Sequence, residues 1–254
     1  MTHTPTTTTP PALPPARRSD AGAIHLTSRD ITGLILCGEQ YGAPYDLLAA
    51  CLAVREDRLR AITARWRAAG YAATGRLGPG PAWCWLTRPG LAATGLGFAP
   101  GVPALARLAH LRAVLAVRLS LEAGESWQAA GAHWRSERRI RAAMTGRVPS
   151  GHVPDAEVSW PDLPGSPYPG ERWAIEAELT PKPLARTAAI MTSLLARTTG
   201  YHPAAPGHPD PRYARVVYLT APPAASVTRR AAATLPAPLQ GKITIRDLPD
   251  GALL

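Results

Sequence analysis

RWAIEAELTPK, residues 172–182, is the stretch that decides the fold of the second half of the chain. Apolar and acidic residues alternate in it, and in an extended strand alternate residues share a face. Ile175 and Ala177 therefore lie on one face, and Glu176 and Glu178 lie on the other. The pattern predicts a β-strand with an apolar face and an acidic face.

A second stretch, HVPDAEVSW at residues 152–160, alternates in the same way and places Asp155 and Glu157 on one side. If the two strands are neighbours, Asp155 and either Glu176 or Glu178 point at one spot. Carboxylate oxygens clustered in this way suit a hard divalent cation, Mg²⁺ or Mn²⁺, rather than zinc. Asp155, Glu176 and Glu178 are therefore the candidate metal ligands.

Two more residues would complete a hydrolytic site. Glu137, in the helical stretch SERRIR, is a further acidic arm, and Lys182 could stabilise a phosphate or orient the attacking water. A metal held by acids activates water and offsets charge on the transition state. A plainer interpretation stays open, in which Asp155, Glu176 and Glu178 face outward at a sheet edge and pair with nearby arginines. In that interpretation Lys182 is the N-terminal residue of a helix. Glu157 is expected to be a solvated strand residue and is left out of the site.

Residues 23–100 predict a helical unit that ends in a hairpin. Helical spacing of apolar residues occurs in residues 26–42, 44–54 and 55–71, and a Gly-Pro-Gly-Pro turn at residues 78–81 joins two strand-like stretches. Three helices followed by a hairpin is the order of a winged helix-turn-helix, in which the third helix is the recognition helix. We therefore expect a DNA-binding domain.

The third predicted helix is rich in arginine. Its apolar residues Leu59, Ile62 and Trp66 share one face, and arginines occupy the others. A guanidinium fork meets guanine or phosphate bidentately. The candidate DNA contacts are Arg55, Arg58, Arg60, Arg65 and Arg67 in this segment, and Arg76 in the hairpin loop. A small helical core with a basic solvated face is the alternative.

Residues 101–254 form the second predicted domain. Residues 103–123 are a strongly apolar helix that we expect to connect it to the first. Strand-like and helix-like stretches then alternate to the C-terminus, which is typical of an α/β arrangement. The Thr/Pro-rich residues 1–22 are predicted to be a disordered tail, and residues 202–212 a loop.

The composition favours a polyanionic partner. The 254-residue chain has a formal net charge of +10. Residues 1–150 hold 18 arginines against nine acids, whereas residues 151–254 hold ten basic residues against nine acids. A basic surface favours nucleic acid over membrane. The three cysteines lack metal-site or disulfide spacing, and no stretch has the apolar character of a signal peptide or a bilayer span, so we expect a cytoplasmic protein without a membrane partner.

The motifs taken in order resemble a known family. Glu137, Pro154-Asp155 and the acids and lysine of IEAELTPK resemble the PD-(D/E)XK restriction-endonuclease-like nuclease superfamily. With the N-terminal part included, residues 24–220 resemble the replication-relaxation family of actinobacterial plasmids and integrated mobile elements. The matching stretches are LTSRDITGLIL, RLRAITARWRAAGY, WLTRPG, WRSERRIR, VPDAEV and WAIEAELTPK.

The resemblance implies two domains of mixed α+β and α/β class. The first is a winged helix-turn-helix, and the second is a restriction-endonuclease-like mixed β-sheet flanked by helices. The implied function is to bind mobile-element DNA, and to cleave it with Mg²⁺ or Mn²⁺, during replication control or transfer. The implied catalytic residues are Glu137, Asp155, Glu176, Glu178 and Lys182.

The chain departs from the superfamily pattern at its lysine. The pattern has a lysine two residues after the acid, whereas Lys182 comes four residues after Glu178. A non-catalytic DNA-binding regulator of replication or transcription, with a degenerate nuclease fold, is therefore the main alternative, and a pure protein-interaction module is the third. A homodimer and a complex with replication or transfer proteins both stay open.

Overall fold

The structure is a computed structural model, and it describes residues 25–144, 152–195 and 213–253. The predicted tail at residues 1–22 and the predicted loop at residues 202–212 lie outside the described residues.

The N-terminal part consists of short helices around a small antiparallel sheet. Its elements are α1 (Ser28–Glu39), β1 (Ala43–Pro44), α2 (Tyr45–Cys51), α3 (Glu56–Ala68), β2 (Ala72–Gly75), β3 (Trp83–Leu86) and α4 (Arg88–Ala93). The strand order is β1-β3-β2, and both outer strands run antiparallel to β3. Helices and a hairpin thus form where the apolar spacing predicts them, and β1 adds a strand that it did not predict.

Local chemistry explains how α1 and α3 fit together. α1 begins with a capping box, because the Thr27 hydroxyl accepts from the Asp30 N–H and the Asp30 carboxylate accepts from the Thr27 N–H. α3 buries Trp66 completely against α1. A Cβ at Gly33 would lie 2.6 Å from the Trp66 ring, so the glycine permits this close packing.

The second part is built on a five-stranded mixed sheet flanked by helices, as predicted. Its elements are α5 (Leu108–Glu122), α6 (Glu125–Ala130), β4 (His133–Ser136), α7 (Glu137–Ala143), β5 (Ala156–Ser159), β6 (Arg172–Glu178), α8 (Leu184–Leu195), β7 (Arg215–Thr220), α9 (Pro222–Ala233), α10 (Ala237–Gln240) and β8 (Ile243–Asp247). The order is β4-β5-β6-β7-β8. β4, β5 and β6 pair antiparallel, and β6, β7 and β8 pair parallel.

β6 lies in the middle of this sheet, and both of its faces are covered. Ile175 and Ala177 pack in a core with α5, and Ala174 packs in another core with α8 and α9. Glu176 and Glu178 are only 3% and 6% exposed. The interpretation of these glutamates as outward-facing residues of a sheet edge is therefore wrong, because β5 and β7 flank the strand that carries them.

α5 begins at Leu108, preceded by a 3-10 turn at Leu105–Arg107, and does more than connect. Leu115 belongs to the N-terminal core, whereas Val114 and Val117 belong to the core under the sheet. The helix that was predicted as a connector therefore packs on both parts. Among the described residues, no helix is both long and apolar enough to cross a bilayer.

Ion pairs with at least one buried member also join the two parts. Both terminal nitrogens of Arg112 on α5 donate to Asp46 on α2, at 2.9 and 2.5 Å. The buried Glu39 of α1 accepts from Arg118 at 2.7 Å and also from Arg139 of α7. These arginines therefore stabilise the contact between α1, α2, α5 and α7.

Candidate functional site

The register of β5 and β6 brings two of the predicted carboxylates together. Ala156 pairs with Ile175, so Asp155, which directly precedes β5, comes opposite Glu176. The Asp155 Oδ2 atom accepts from the Ala177 N–H at 2.9 Å. This bond fixes Asp155 at the end of the strand pair, where its charge acts on Glu176.

Glu176 is the most perturbed acid at this spot. Burial and the neighbouring Asp155 charge raise the pKa of Glu176 to about 7, although His152 and Lys182 act in the opposite direction. Its Oε1 atom lies 2.8 Å from the His152 Nε2 atom. A buried carboxyl group that titrates near neutrality is typical of functional sites.

Lys182 pairs with the second glutamate of the strand. The Lys182 Nζ atom lies 2.5 Å from the Glu178 Oε2 atom. Lys182 lies in the loop before α8, so the prediction that it starts that helix is wrong by two residues. The displaced lysine nevertheless reaches the acidic face, and its charge acts on Glu176 as well.

Two histidines and a tyrosine belong to this cluster, which the sequence did not indicate. His110 of α5 lies 2.9 Å from the Asp155 Oδ1 atom. Burial alone would lower the pKa of His110, but its hydrogen bond to Asp155 and the charge of that carboxylate raise it. The pKa of His152 is likewise raised by Glu176, against the effect of burial. Tyr218 of β7 pairs in register with Glu176.

Tyr218 lies in a polar environment, but its hydroxyl is not hydrogen-bonded within the described residues. Burial raises the pKa of Tyr218, and the charges of Glu176, Glu178 and Asp155 raise it further. Among the described residues, its buried hydroxyl has no hydrogen-bond partner. A phenol next to three carboxylates would normally donate to one of them or to water.

Glu137 lies close to Asp155 but is held by arginines. Its N–H donates to the Asp155 carbonyl at 3.0 Å, and both residues line a cavity of about 10 Å³, the size of one water molecule. Arg107 and Arg141 each donate to its carboxylate at 2.8 Å. The structure thus places Glu137 beside the cluster, with both carboxylate oxygens already bonded.

The carboxylates as arranged do not form a three-ligand metal centre. Asp155 is bonded by His110 and the Ala177 N–H, Glu176 by His152, and Glu178 by Lys182. Within the described ranges, no group of three or more His, Cys, Asp or Glu side chains is placed to hold a metal ion. The oxygen donors suit Mg²⁺ or Mn²⁺ in kind, but this geometry does not assemble them.

Glu157 is buried, and the prediction that it is a solvated strand residue is wrong. It is 5% exposed and pairs with Ala174, so it lies on the same sheet face as Glu176. It accepts from Arg135 at 3.2 Å and also from the Tyr213 hydroxyl. These bonds compensate the buried charge and give Glu157 a structural role.

The predicted DNA-contacting arginines differ in what they bind. Arg55 pairs with Asp57, Arg60 pairs with Glu56, and Arg65 pairs with the buried Asp30. Among the described residues, the exposed Arg58 and Arg67 make no ion pair, and Arg76 reaches only the Gly80 carbonyl, at 3.4 Å. Exposed pairs such as the first two are weak in water, so they can exchange for a phosphate.

A groove lies beside these arginines. Its volume is about 380 Å³, and residues 27–30 at the start of α1 line it together with Arg58, Ile62 and Arg65 of α3. Arg29 is exposed, and it was not among the predicted contacts. The sequence indicates one side of this groove, the capped start of a helix followed by an arginine. It does not show that α3 packs beside this start, so the groove could not be predicted.

Comparison of the chain with protein-family models, with curated proteins and with solved structures found no match.

Proposed function

We propose that the protein binds DNA through its N-terminal part, folded as a winged helix-turn-helix. The order of α1, β1, α2, α3 and the β2–β3 hairpin supports this proposal. In such a domain α3 is the recognition helix, and the hairpin loop that carries Arg76 is the wing.

The exposed face of α3 is the observation that carries the proposal. The helix buries Leu59, Ile62, Thr63 and Trp66, so its other faces point to solvent. Those faces present the arginines at positions 58, 60, 65 and 67. A helix with one anchored face and arginines along its exposed sides can enter a major groove and contact phosphates on its rims.

The test measures duplex DNA binding as a function of salt. We expect the wild-type affinity to fall steeply as KCl rises. Arg58→Ala combined with Arg67→Ala should weaken binding about tenfold or more and lower the salt slope by about 2. Arg229→Ala with Arg230→Ala is the matched control, since both arginines are exposed on α9 and the charge change is equal. Equal losses in the two double variants would contradict the proposal.

A second candidate function is Mg²⁺- or Mn²⁺-dependent hydrolysis of a DNA phosphodiester. Asp155 opposite a Glu176 whose pKa is raised to about 7, with Lys182 at Glu178, favours it. The resemblance to replication-relaxation proteins would place such activity in the replication control or transfer of a mobile element. The carboxylate pairing favours the rival, a regulator whose nuclease-like fold only binds DNA or protein.

Supercoiled plasmid incubated with Mg²⁺ or Mn²⁺ separates these two. If the protein is a nuclease, nicking should occur and should fall by about a hundredfold or more in Asp155→Asn. Asp162→Asn, an exposed loop residue, is the control and should keep full activity. DNA binding without nicking, or nicking that survives Asp155→Asn, would reject the enzyme and leave the regulator.

A further inference from the structure

We propose that the groove between the start of α1 and α3 holds one backbone phosphate of bound duplex DNA. The inference rests on the proposed DNA binding and deepens it, because it adds Arg29 and the first turn of α1 to the contact surface. It also assigns Asp30 as a positioning residue that acts through Arg65.

The charge of the groove suits an anion. Arg29, Arg58 and Arg65 line it, against one carboxylate, Asp30. Arg29 and Arg58 are exposed, and in the described parts of the chain neither pairs with a carboxylate. Their guanidinium groups therefore have donors free for a ligand with several acceptor oxygens.

The single carboxylate of the groove is directed inward. The Asp30 Oδ2 atom accepts from the Thr27 N–H at 2.9 Å and from the Thr27 hydroxyl at 2.7 Å. Its Oδ1 atom accepts from Trp66 at 2.8 Å and from Arg65 at 2.6 Å. With four donors on a residue that is 1% exposed, the carboxylate repels an approaching phosphate only weakly.

The same bonds aim Arg65 at the groove. Only its Nη2 atom donates to Asp30, while the side chain remains 43% exposed. A guanidinium anchored at one edge loses less freedom when its other edge meets a phosphate. Arg58 lies two turns before Arg65 on α3, about 10 Å along the axis, which leaves room for a phosphate between them.

The start of α1 adds donors of the right kind. Ser28 and Arg29 are the first helical residues, and backbone N–H groups at this position have no acceptor within the helix. The Ser28 side chain is exposed at the rim. Arg58 and Arg65 of α3 and the first residues of α1 thus line the same groove.

The experiment uses the full chain and a fluorescein-labelled duplex, with anisotropy measured across a KCl series. Arg29→Ala should weaken binding severalfold and lower the magnitude of the salt slope by about 0.9, the value for one phosphate. Arg229→Ala on α9 is the matched control and should leave both unchanged. If Arg29→Ala behaves like Arg229→Ala while the wild type binds, the groove assignment fails and the proposed function stands. If the wild type shows no salt-dependent binding, both fail.

Asp30→Asn tests the positioning role separately from charge. Loss of one negative charge would by itself tighten DNA binding, as we expect for the exposed control Asp57→Asn. If Asp30 positions Arg65, Asp30→Asn should instead weaken binding, measured at a temperature where circular dichroism shows the variant folded. Binding that tightens equally in both variants would overturn the role of Asp30.

A final arm identifies the source of the phosphate. Inorganic phosphate and chloride are compared as competitors at equal ionic strength. Stronger competition by phosphate that is lost in Arg29→Ala, together with a weakened DNA affinity of that variant, supports the DNA assignment. Three results together would overturn the DNA assignment. Phosphate displaces the duplex from the wild type more strongly than chloride does, this difference is lost in Arg29→Ala, and the DNA affinity of Arg29→Ala equals that of the wild type. The groove is then a free-phosphate site.

Discussion

Replacing Glu176 by glutamine should stabilise the protein at alkaline pH. The glutamate is 3% exposed and lies opposite Asp155, and burial and that charge raise its pKa from 4.5 to about 7. Between these two values the folded state keeps a proton that the unfolded state has lost. Stability therefore falls as pH rises through this window, by about 3 kcal/mol in all, and then levels off.

Glutamine has nearly the same shape and remains neutral. Its side-chain oxygen can still accept from His152, which lies 2.8 Å from the Glu176 Oε1 atom. The raised pKa of His152 adds to the wild-type loss, because stabilisation by its charged form disappears as pH rises through that pKa. Glu176→Gln removes the carboxylate behind both effects, so its free energy of unfolding should depend less on pH.

Urea unfolding at pH 5 and pH 8, with a chelator present, measures the effect. From pH 5 to pH 8 the wild type should lose about 2.5 kcal/mol more than Glu176→Gln, or roughly 5–10 °C in Tm. Glu157→Gln is the contrast on the same sheet face: it removes the counter-charge of Arg135 and should destabilise at both pH values by about 1–3 kcal/mol. Equal pH dependence in wild type and Glu176→Gln would refute the reasoning.

Further predictions concern the packing of α1. Asp30→Ala removes a capping box and the acceptor of Trp66, and should cost about 3–4 kcal/mol of unfolding free energy by urea titration, whereas exposed Asp57→Ala should cost under about 0.5 kcal/mol. Glu39→Ala leaves two arginines without this carboxylate and should cost about 3–5 kcal/mol; an unchanged midpoint would show that the buried pairs do not stabilise the junction. Gly33→Ala places a methyl group 2.6 Å from Trp66 and should lower Tm by an amount equivalent to about 1–3 kcal/mol, and an unchanged Tm would show that α1 shifts freely.

The elements of the fold could be predicted from the sequence because the signals for them are local. The apolar spacing around Trp66 predicts α3, and the alternation around Glu176 predicts β6 with two unlike faces. The position of β6 in the sheet is not local information. Because β7 pairs with β6 from beyond residue 212, only the structure shows that Glu176 and Glu178 are buried.

The sequence predicts the carboxylates of the candidate site but not the residues that bond to them. Asp155 and Glu176 follow from alternation on two strands, which needs only the assumption that these strands are neighbours. His110 lies 45 positions before Asp155, and Arg65 lies 35 positions after Asp30. No spacing rule joins residues so far apart, since the contact depends on how α5 meets the sheet and how α3 meets α1.

The structure also shows which arginines of the basic excess are already engaged within the fold. By sequence, residues 101–150 contribute much of the basic excess, with eight arginines against three acids. In the structure, Arg112 and Arg118 neutralise carboxylates of α1 and α2, and Arg138 donates to the Gly38 carbonyl and stacks on Tyr41, 4.7 Å from the ring centroid. A guanidinium used in this way cannot also serve as a DNA contact without breaking the junction between the two parts. Arg29 on α1 and Arg58 and Arg67 on α3, by contrast, remain exposed and unpaired in the described chain, so they are free to meet a phosphate without breaking that junction.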